Sequence, residues 1–321
     1  MKKPLIQRFQ KWFLFSLAFG IALYLIGSVW AGLHQVQEEL QSYQWWAFGV
    51  AILLTLLNYF LRFIKWHYLC KRLDIEISLQ ENFWIFFSGL SMAISPAKAG
   101  ELLKPYALKV KTGTPMTHSV PALITERLTD GIAMLILAAT GITSYAAGKV
   151  HYLVIPAVIT LGILLILAHE GLSMWILRKM SKIPFIQKIS TRLEELYRAM
   201  RQTLAPLSLL YTVFLSLIAW SAECVAFQVI FQGLGIQGAS FGACFFIYAF
   251  ATVAGSAMPG GLGITDGALI GGAQKFIIGL TTPQATLAAI LTRIATMWFG
   301  VAIGALALMR LSHHLGPLED E

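Results

Sequence analysis

Six stretches of this chain, at about 12–33, 45–69, 118–147, 150–168, 206–233 and 285–310, are apolar nearly all the way round. A helix in water needs only one apolar stripe, so an apolar surface on every side calls for lipid or for enclosing helices. Each stretch is long enough to cross a bilayer, which takes ~20 residues. The chain is 57% hydrophobic and 12% charged, against about 25% charged in a soluble domain. These values exclude a disordered chain, a secreted disulfide scaffold and an ordinary cytosolic enzyme. The first stretch follows Lys2 and Lys3 but is longer than a ~7–15-residue signal core and ends in no A-x-A cleavage site, so it reads as an uncleaved span. Cys70, Cys224 and Cys244 form no CxxC pair and read as reduced packing residues.

Two further apolar segments, 83–110 and 241–279, are interrupted. The first breaks at Ser95-Pro96-Ala97-Lys98-Ala99-Gly100-Glu101, the second at Met258-Pro259-Gly260-Gly261-Leu262-Gly263. Proline removes a helical N–H and glycine frees the backbone. Irregular backbone at membrane depth is tolerated only inside protein or beside water. The segments therefore read as two re-entrant helical hairpins with buried tips, the alternative being one kinked span each.

Basic residues set the orientation. The stretches 1–11, 62–72, 98–111 and 178–201 hold nineteen of the 24 Lys and Arg. The 34–44 loop holds none, and 145–152 holds only Lys149. Positive-inside counting places both termini in the cytoplasm. The expected fold is an all-α polytopic membrane protein with six full spans and two re-entrant hairpins, and the whole of 1–321 forms a single membrane domain. Two units of span, hairpin and span emerge, about 45–147 and about 206–310, with opposite orientation. Inverted repeats with broken helices meeting near the midplane are a common transporter plan. Between the units, 170–205 reads as an amphipathic cytoplasmic helix pair on lipid headgroups, or as a solvated linker.

Ionisable groups inside spans cost at least ~2.5 kcal/mol each at the bilayer centre, so they usually face a cavity or a partner. The candidates are Arg62, Lys98, Glu101, Lys104, Glu126, Arg127, Asp130, Glu223, Asp266 and Arg293. At each hairpin tip a proline is followed four residues later by a glycine and then by a carboxylate: Pro96, Gly100, Glu101 and Pro259, Gly263, Asp266. A helix starting at such a tip presents unpaired N–H groups that suit an anion. Arg127 and Arg293 lie about nine residues into their spans, ~13 Å deep. Their guanidinium forks suit phosphate. Together with Pro96, Lys98, Gly100, Lys104, Asp130, Gly260 and Gly261, they outline a phosphate cradle between the units. Glu101, Glu126 and Asp266 would orient the arginines or carry protons. Glu126 and Arg127 project about 100° apart and need not pair, whereas Glu126 and Asp130 share a face. Arg62 and Lys65 lie near enough to the cytoplasmic end to snorkel. The alternative is that these charges are ion pairs that only fix helix packing. Asn58 suits an interhelical hydrogen bond as well as a ligand role.

Asn58-xxx-Arg62-xxx-Trp66, the Ser95–Lys104 block, Thr125-Glu126-Arg127-Leu128-Thr129-Asp130, Pro259-Gly260-Gly261-Leu262-Gly263 and Arg293 with Trp298 and Gly300 together resemble the lysylphosphatidylglycerol synthase transmembrane family, the flippase-like domain of UPF0104-type proteins. The resemblance covers roughly 10–310. It implies a multi-pass protein of the bacterial cytoplasmic (inner) membrane that moves lipid between leaflets. In full-length synthases a separate aminoacyltransferase domain makes the lipid. No counterpart follows Arg310 here, so aminoacyl transfer is not expected. Asp266 stands where members often carry Glu at or beside the position, so no family role passes to it.

No HExxH, P-loop or GxSxG pattern occurs, and no catalytic residue, metal or cofactor is expected. The leading expectation is a translocase for an anionic, phosphate-bearing phospholipid or polyprenyl-linked lipid. One alternative is a membrane-embedded lipid transferase. Another is a non-transporting partner of a cell-envelope lipid or glycan synthase. A lipid-modifying synthase is a further expected partner, and nucleic acid is not.

Overall fold

A computed structural model describes residues 33–95, 100–145, 151–181, 183, 190–256 and 258–315. The expected first span at 12–33 lies outside the described residues except for its last, as do Pro96 and Lys98. The described fold is helical: α1 (Leu33–Ser42), α2 (Trp45–Arg72), α3 (Leu79–Leu90), α4 (Leu103–Thr112), α5 (Met116–Tyr145), α6 (His151–Ala168), α7 (Glu170–Met180), α8 (Ser190–Thr203), α9 (Pro206–Gly233), α10 (Phe241–Ala254), α11 (Ile264–Phe276), α12 (Thr282–Arg293) and α13 (Phe299–Leu315). A π-helical turn, Ile294–Trp298, joins α12 to α13. Among the described residues three helices are long and apolar enough to cross a membrane: 45–72, 206–233 and 282–311. Bent by 90°, α6 and α7 make a fourth if taken as one span.

Local signals explain the helix ends. The Ser78 side chain accepts the Glu81 N–H at the start of α3, and Ser240 caps α10 in the same way, each satisfying an otherwise orphan donor. Pro206 opens α9, where its missing N–H costs nothing. Lys71 and Arg72 end α2, where positive charge suits the helix dipole. Gly113 closes α4 in the left-handed conformation at φ 74°.

The bundle is inverted relative to a soluble protein. Leu207, Leu210 and Phe214 of α9 and Ile155, Val158, Leu161 and Leu165 of α6 are exposed. Thr55, Asn58, Lys65, Ser216 and Glu126 are buried. Contiguous exposed apolar faces of this kind are rare on soluble monomers and fit contact with acyl chains. Polar groups are then forced inward, where they pair across helices. Asn58 donates to the Ala219 carbonyl at 2.8 Å, joining α2 to α9. This is the interhelical role of the two that the sequence left open.

Both interrupted segments fold back on themselves. Glu81 at the start of α3 meets Lys111 near the end of α4 at 3.6 Å, although a straight helix would hold them about 45 Å apart. In the second segment a side-chain carbon on Gly272 of α11 would come within 2.9 Å of Ile247 on α10. These contacts rule out one kinked helix in either place.

The two halves exchange their contacts. α2 packs along α9, α3 packs on α13, and α10 packs on α5. Glycines permit the last two approaches. A Cβ at Gly304 would lie 2.8 Å from the Leu90 carbonyl carbon, and one at Gly141 would lie 2.7 Å from Phe246 Cβ. Thus each hairpin's first helix is held by the last long helix of the other half.

α7 and α8 form the connection between the halves. Tyr197, Ala199 and Met200 of α8 are buried and α8 packs on α5, with Thr203 bonded to Thr125 at 2.7 Å. The apolar face of α8 is therefore covered by protein. On α7, Leu172 and Trp175 remain exposed.

Candidate functional site

The site begins with what α5 presents on one face. Glu126 and Asp130 are one turn apart and both buried, and α2 meets them with Arg62 and Lys65, three residues apart. Lys65 Nζ lies 2.5 Å from Asp130 Oδ1 and also donates to Ser216 Oγ of α9 at 2.7 Å. Arg62 lies 3.4 Å from Glu126 and 3.9 Å from Asp130. The expectation that Arg62 and Lys65 snorkel is therefore overturned. The Lys65 side chain is fully buried and Arg62 is 8% exposed, because α5 and α9 close over this stretch of α2.

The first hairpin adds two charges. Lys104 Nζ reaches Glu126 Oε2 at 2.5 Å and sits over the Trp66 ring at 4.4 Å. Gly89 gives it room, since a Cβ there would come within 2.8 Å of the Lys104 stem. Glu101 Oε2 lies 3.0 Å from Arg127 Nε. Arg127 also donates to Glu126 Oε1 at 2.9 Å. The two neighbours, which their helical angle alone does not require to pair, therefore do: the angle fixes where Cβ points, and the long arginine chain curls back. Gly100 closes the break by donating to Ser95 Oγ at 2.8 Å.

The second hairpin repeats the scheme. Gly260, Gly261 and Gly263 have φ of 59°, 70° and 83°, a region that other residues enter only at a cost. Their turn lets the Gly263 N–H donate to Asp266 Oδ2 at 2.8 Å. The other Asp266 oxygen lies 3.1 Å from Arg293 Nε, and Arg293 also donates to the Gly260 carbonyl. Each arginine is thus tied to the carboxylate that follows a break. These Nε contacts are close but poorly aligned. Arg62, Arg127 and Arg293 each keep a buried Nε without an aligned acceptor.

Between the hairpins lies a half-open cavity of about 120 Å³. Arg62, Lys104, Arg127 and Arg293 line it, with Glu101, Glu223 and the aromatic rings of Tyr59, Trp220 and Tyr248. Asp130 and Lys65 lie behind this wall, and Glu126 behind Lys104. A second, mainly apolar cavity of about 650 Å³ shares Glu101, Arg127, Trp220 and Thr252 with the first and continues past Leu123, Leu128, Met134 and Ile163.

Of the residues singled out from sequence, Arg62, Glu101, Lys104, Arg127, Glu223, Gly260, Gly261 and Arg293 reach the cavity wall. Glu126, Asp130 and Asp266 hold those side chains through ion pairs. Gly100, Pro259 and Gly263 shape the two turns. Sequence reasoning missed Lys65 and the aromatic wall. The buried Cys70, Cys224 and Cys244 are free thiols, and no metal-holding cluster occurs among the described residues.

Fold and site together define a helical membrane protein organised around an internal cluster of charge. Residues 16–304 match the lysylphosphatidylglycerol synthase TM region, and the chain belongs to that family. It is also similar to a UPF0104 membrane protein of Methanothermobacter thermautotrophicus, at 25% identity over 331 aligned positions, covering 97% of this chain and 96% of the relative.

Proposed function

We propose that the protein moves an anionic, phosphate-bearing lipid between the leaflets of the cytoplasmic membrane, with the headgroup held between the two hairpins. The observation that carries this reading is the central cavity itself. Four basic side chains converge there, three of them arginines. Guanidinium donors of this kind suit phosphate oxygens. The volume decides what part of a lipid enters. At about 120 Å³ the cavity is well below the ~300–1,000 Å³ of pockets that enclose a drug-sized ligand. A headgroup fits and acyl chains do not. The adjoining apolar cavity offers the chains a place while the phosphate sits at Arg127.

The exchanged packing of the two halves supports an inverted repeat over about 45–147 and 206–310. In this reading the hairpins are re-entrant from opposite faces, six spans surround them, and both termini are cytoplasmic. The helix connection 170–205 lies on the cytoplasmic side. No catalytic role is proposed.

The test is leaflet exchange in liposomes containing the purified protein. Headgroup-labelled phosphatidylglycerol, lysyl-phosphatidylglycerol and a short polyprenyl phosphate are offered in turn. Arg127→Ala and Arg293→Ala should each abolish exchange of the transported lipid while thermal melting shows them folded. Folded variants that exchange normally would sink the cradle. No exchange of any lipid by the wild type would favour a non-transporting partner of a lipid or glycan synthase.

A further inference from the structure

Five carboxylates are buried in and around the central cavity: Glu101, Glu126, Asp130, Glu223 and Asp266. Four of them face cations within 4.0 Å: Glu101 faces Arg127, Glu126 faces Arg62, Lys104 and Arg127, Asp130 faces Lys65, Arg62 and Arg127, and Asp266 faces Arg293. Glu223 differs. Among the described residues no cation comes within that distance of it. Its partner is a neutral phenol, as Tyr248 donates to Oε2 at 2.6 Å. The other oxygen, Oε1, is left over, and the residue lines the cavity.

The surroundings of Glu223 are made by five elements. α2 contributes Tyr59 and Arg62, α5 contributes Asp130, and α10 contributes Tyr248. Arg293 comes from α12, and Glu223's own helix adds Cys224. Arg62 and Arg293 face it from beyond ion-pair reach and are already engaged with Glu126 and Asp266. The counter-charge open to Glu223 is therefore a proton on Oε1.

Charge balance links that proton to the ligand. Among the described residues of this cluster, Arg62, Lys65, Lys104, Arg127 and Arg293 offset the five carboxylates. A phosphodiester brings one further negative charge into a space where charges are weakly screened. A proton on Glu223 restores neutrality. We propose that Glu223 is a proton-binding site coupled to the anion: Oε1 takes one proton from solvent as a phosphodiester enters and returns it as the anion leaves. Lipid and proton then cross together without net charge movement. This inference rests on the reading of the cavity as a phosphate site.

Linkage makes the idea measurable, because an anion that favours protonation must bind more tightly where the proton is available. The purified full chain is titrated calorimetrically with dihexanoyl-phosphatidylglycerol in buffers of different ionisation enthalpy, over a range of pH. Dimethyl phosphate, which has no acyl chains, is the second probe. Uptake of about one proton per anion is expected, with Kd rising up to about tenfold per pH unit on the alkaline side. Uptake with both probes identifies the phosphodiester as the trigger, and uptake with the lipid alone identifies a lipid headgroup. Glu223→Gln should bind without proton uptake and with a flat pH dependence. Tyr248→Phe, which keeps the carboxyl and removes its phenol, should still take up a proton, at a shifted pH. Wild-type binding without proton uptake would overturn the proposal, and so would uptake that persists in Glu223→Gln. If Glu223→Gln does not fold, an unshifted Tyr248→Phe profile overturns it. Binding of neither probe by the wild type would instead remove the phosphate-site reading beneath it.

Discussion

Lys65 and Asp130 meet 2.5 Å apart in the middle of the bundle, with the lysine side chain wholly buried. Taking one partner from a buried pair strands the other charge, at a cost of about 3–5 kcal/mol. Lys65→Met is therefore expected to lower stability by that order, as a marked drop in the melting temperature of the detergent-solubilised protein. Lys65→Met with Asp130→Leu should lose less than the additive sum of the two single changes, and strict additivity would show that the two charges do not act as a pair.

The arginines are aimed by the hairpins. Glu101→Gln and Asp266→Asn each keep the size of the side chain and remove the charge facing Arg127 or Arg293. Misplacing a binding group by ~1 Å can cost about 100-fold, so lipid exchange should fall at least tenfold in each variant. Asp266→Asn should also cost about 1 kcal/mol of stability, through the weakened cap on the Gly263 N–H. Exchange rates within twofold of wild type would argue that these carboxylates serve packing alone.

The second tip needs its glycines for a backbone reason. Gly260→Ala and Gly261→Ala place a Cβ at positive φ, at about 1–2 kcal/mol each. A Cβ at Gly261 would also collide with Thr265 Oγ1. Gly267 is the contrast: it sits inside α11 with open space around it, so Gly267→Ala should be neutral or stabilising by up to about 1 kcal/mol. Thermal melts of the three variants decide the matter, and equal shifts in all three would contradict it.

Re-entrance has a labelling signature. In a cysteine-free background, Glu81→Cys and Lys111→Cys should both react with an impermeant maleimide applied from the cytoplasmic side, since their side chains lie together. Ser240→Cys and Ile278→Cys should react from the opposite side, Ile278 being 96% exposed. A pair that labels from two different sides would mean that its segment crosses the membrane.

Much of this was legible in the sequence because lipid leaves few choices for the backbone. The expected run at 118–147 became a helix at 116–145, and that at 206–233 kept both ends. The breaks were visible as Pro and Gly amid apolar residues. Hidden features were those made by tertiary closure. The burial of Lys65 depends on α5 and α9 covering it, which its distance from the end of a span does not reveal. Tyr59 reads as a headgroup-belt anchor near a span end yet is buried, and nothing in the sequence marks Trp220 or Tyr248 until three separate helices bring all three to one wall. Pairing of Glu126 with Arg127 depends on the reach of a flexible side chain, which helical angles do not encode.

The exchange of partners between the halves sets a timetable for biosynthesis. Leu90 and Ser91 pack against Gly304, which leaves the ribosome roughly 200 residues later. At ~5–20 residues per second that is a wait of ~10–40 s. During that interval α3 lacks the helix that will hold it, α13, and the charged tip of its hairpin must be sheltered by the insertion machinery or by lipid headgroups. Nascent chains halted before Gly304 should thus leave Ser91→Cys open to labelling, and chains carried past it should close it, while the exposed Glu81→Cys labels in both.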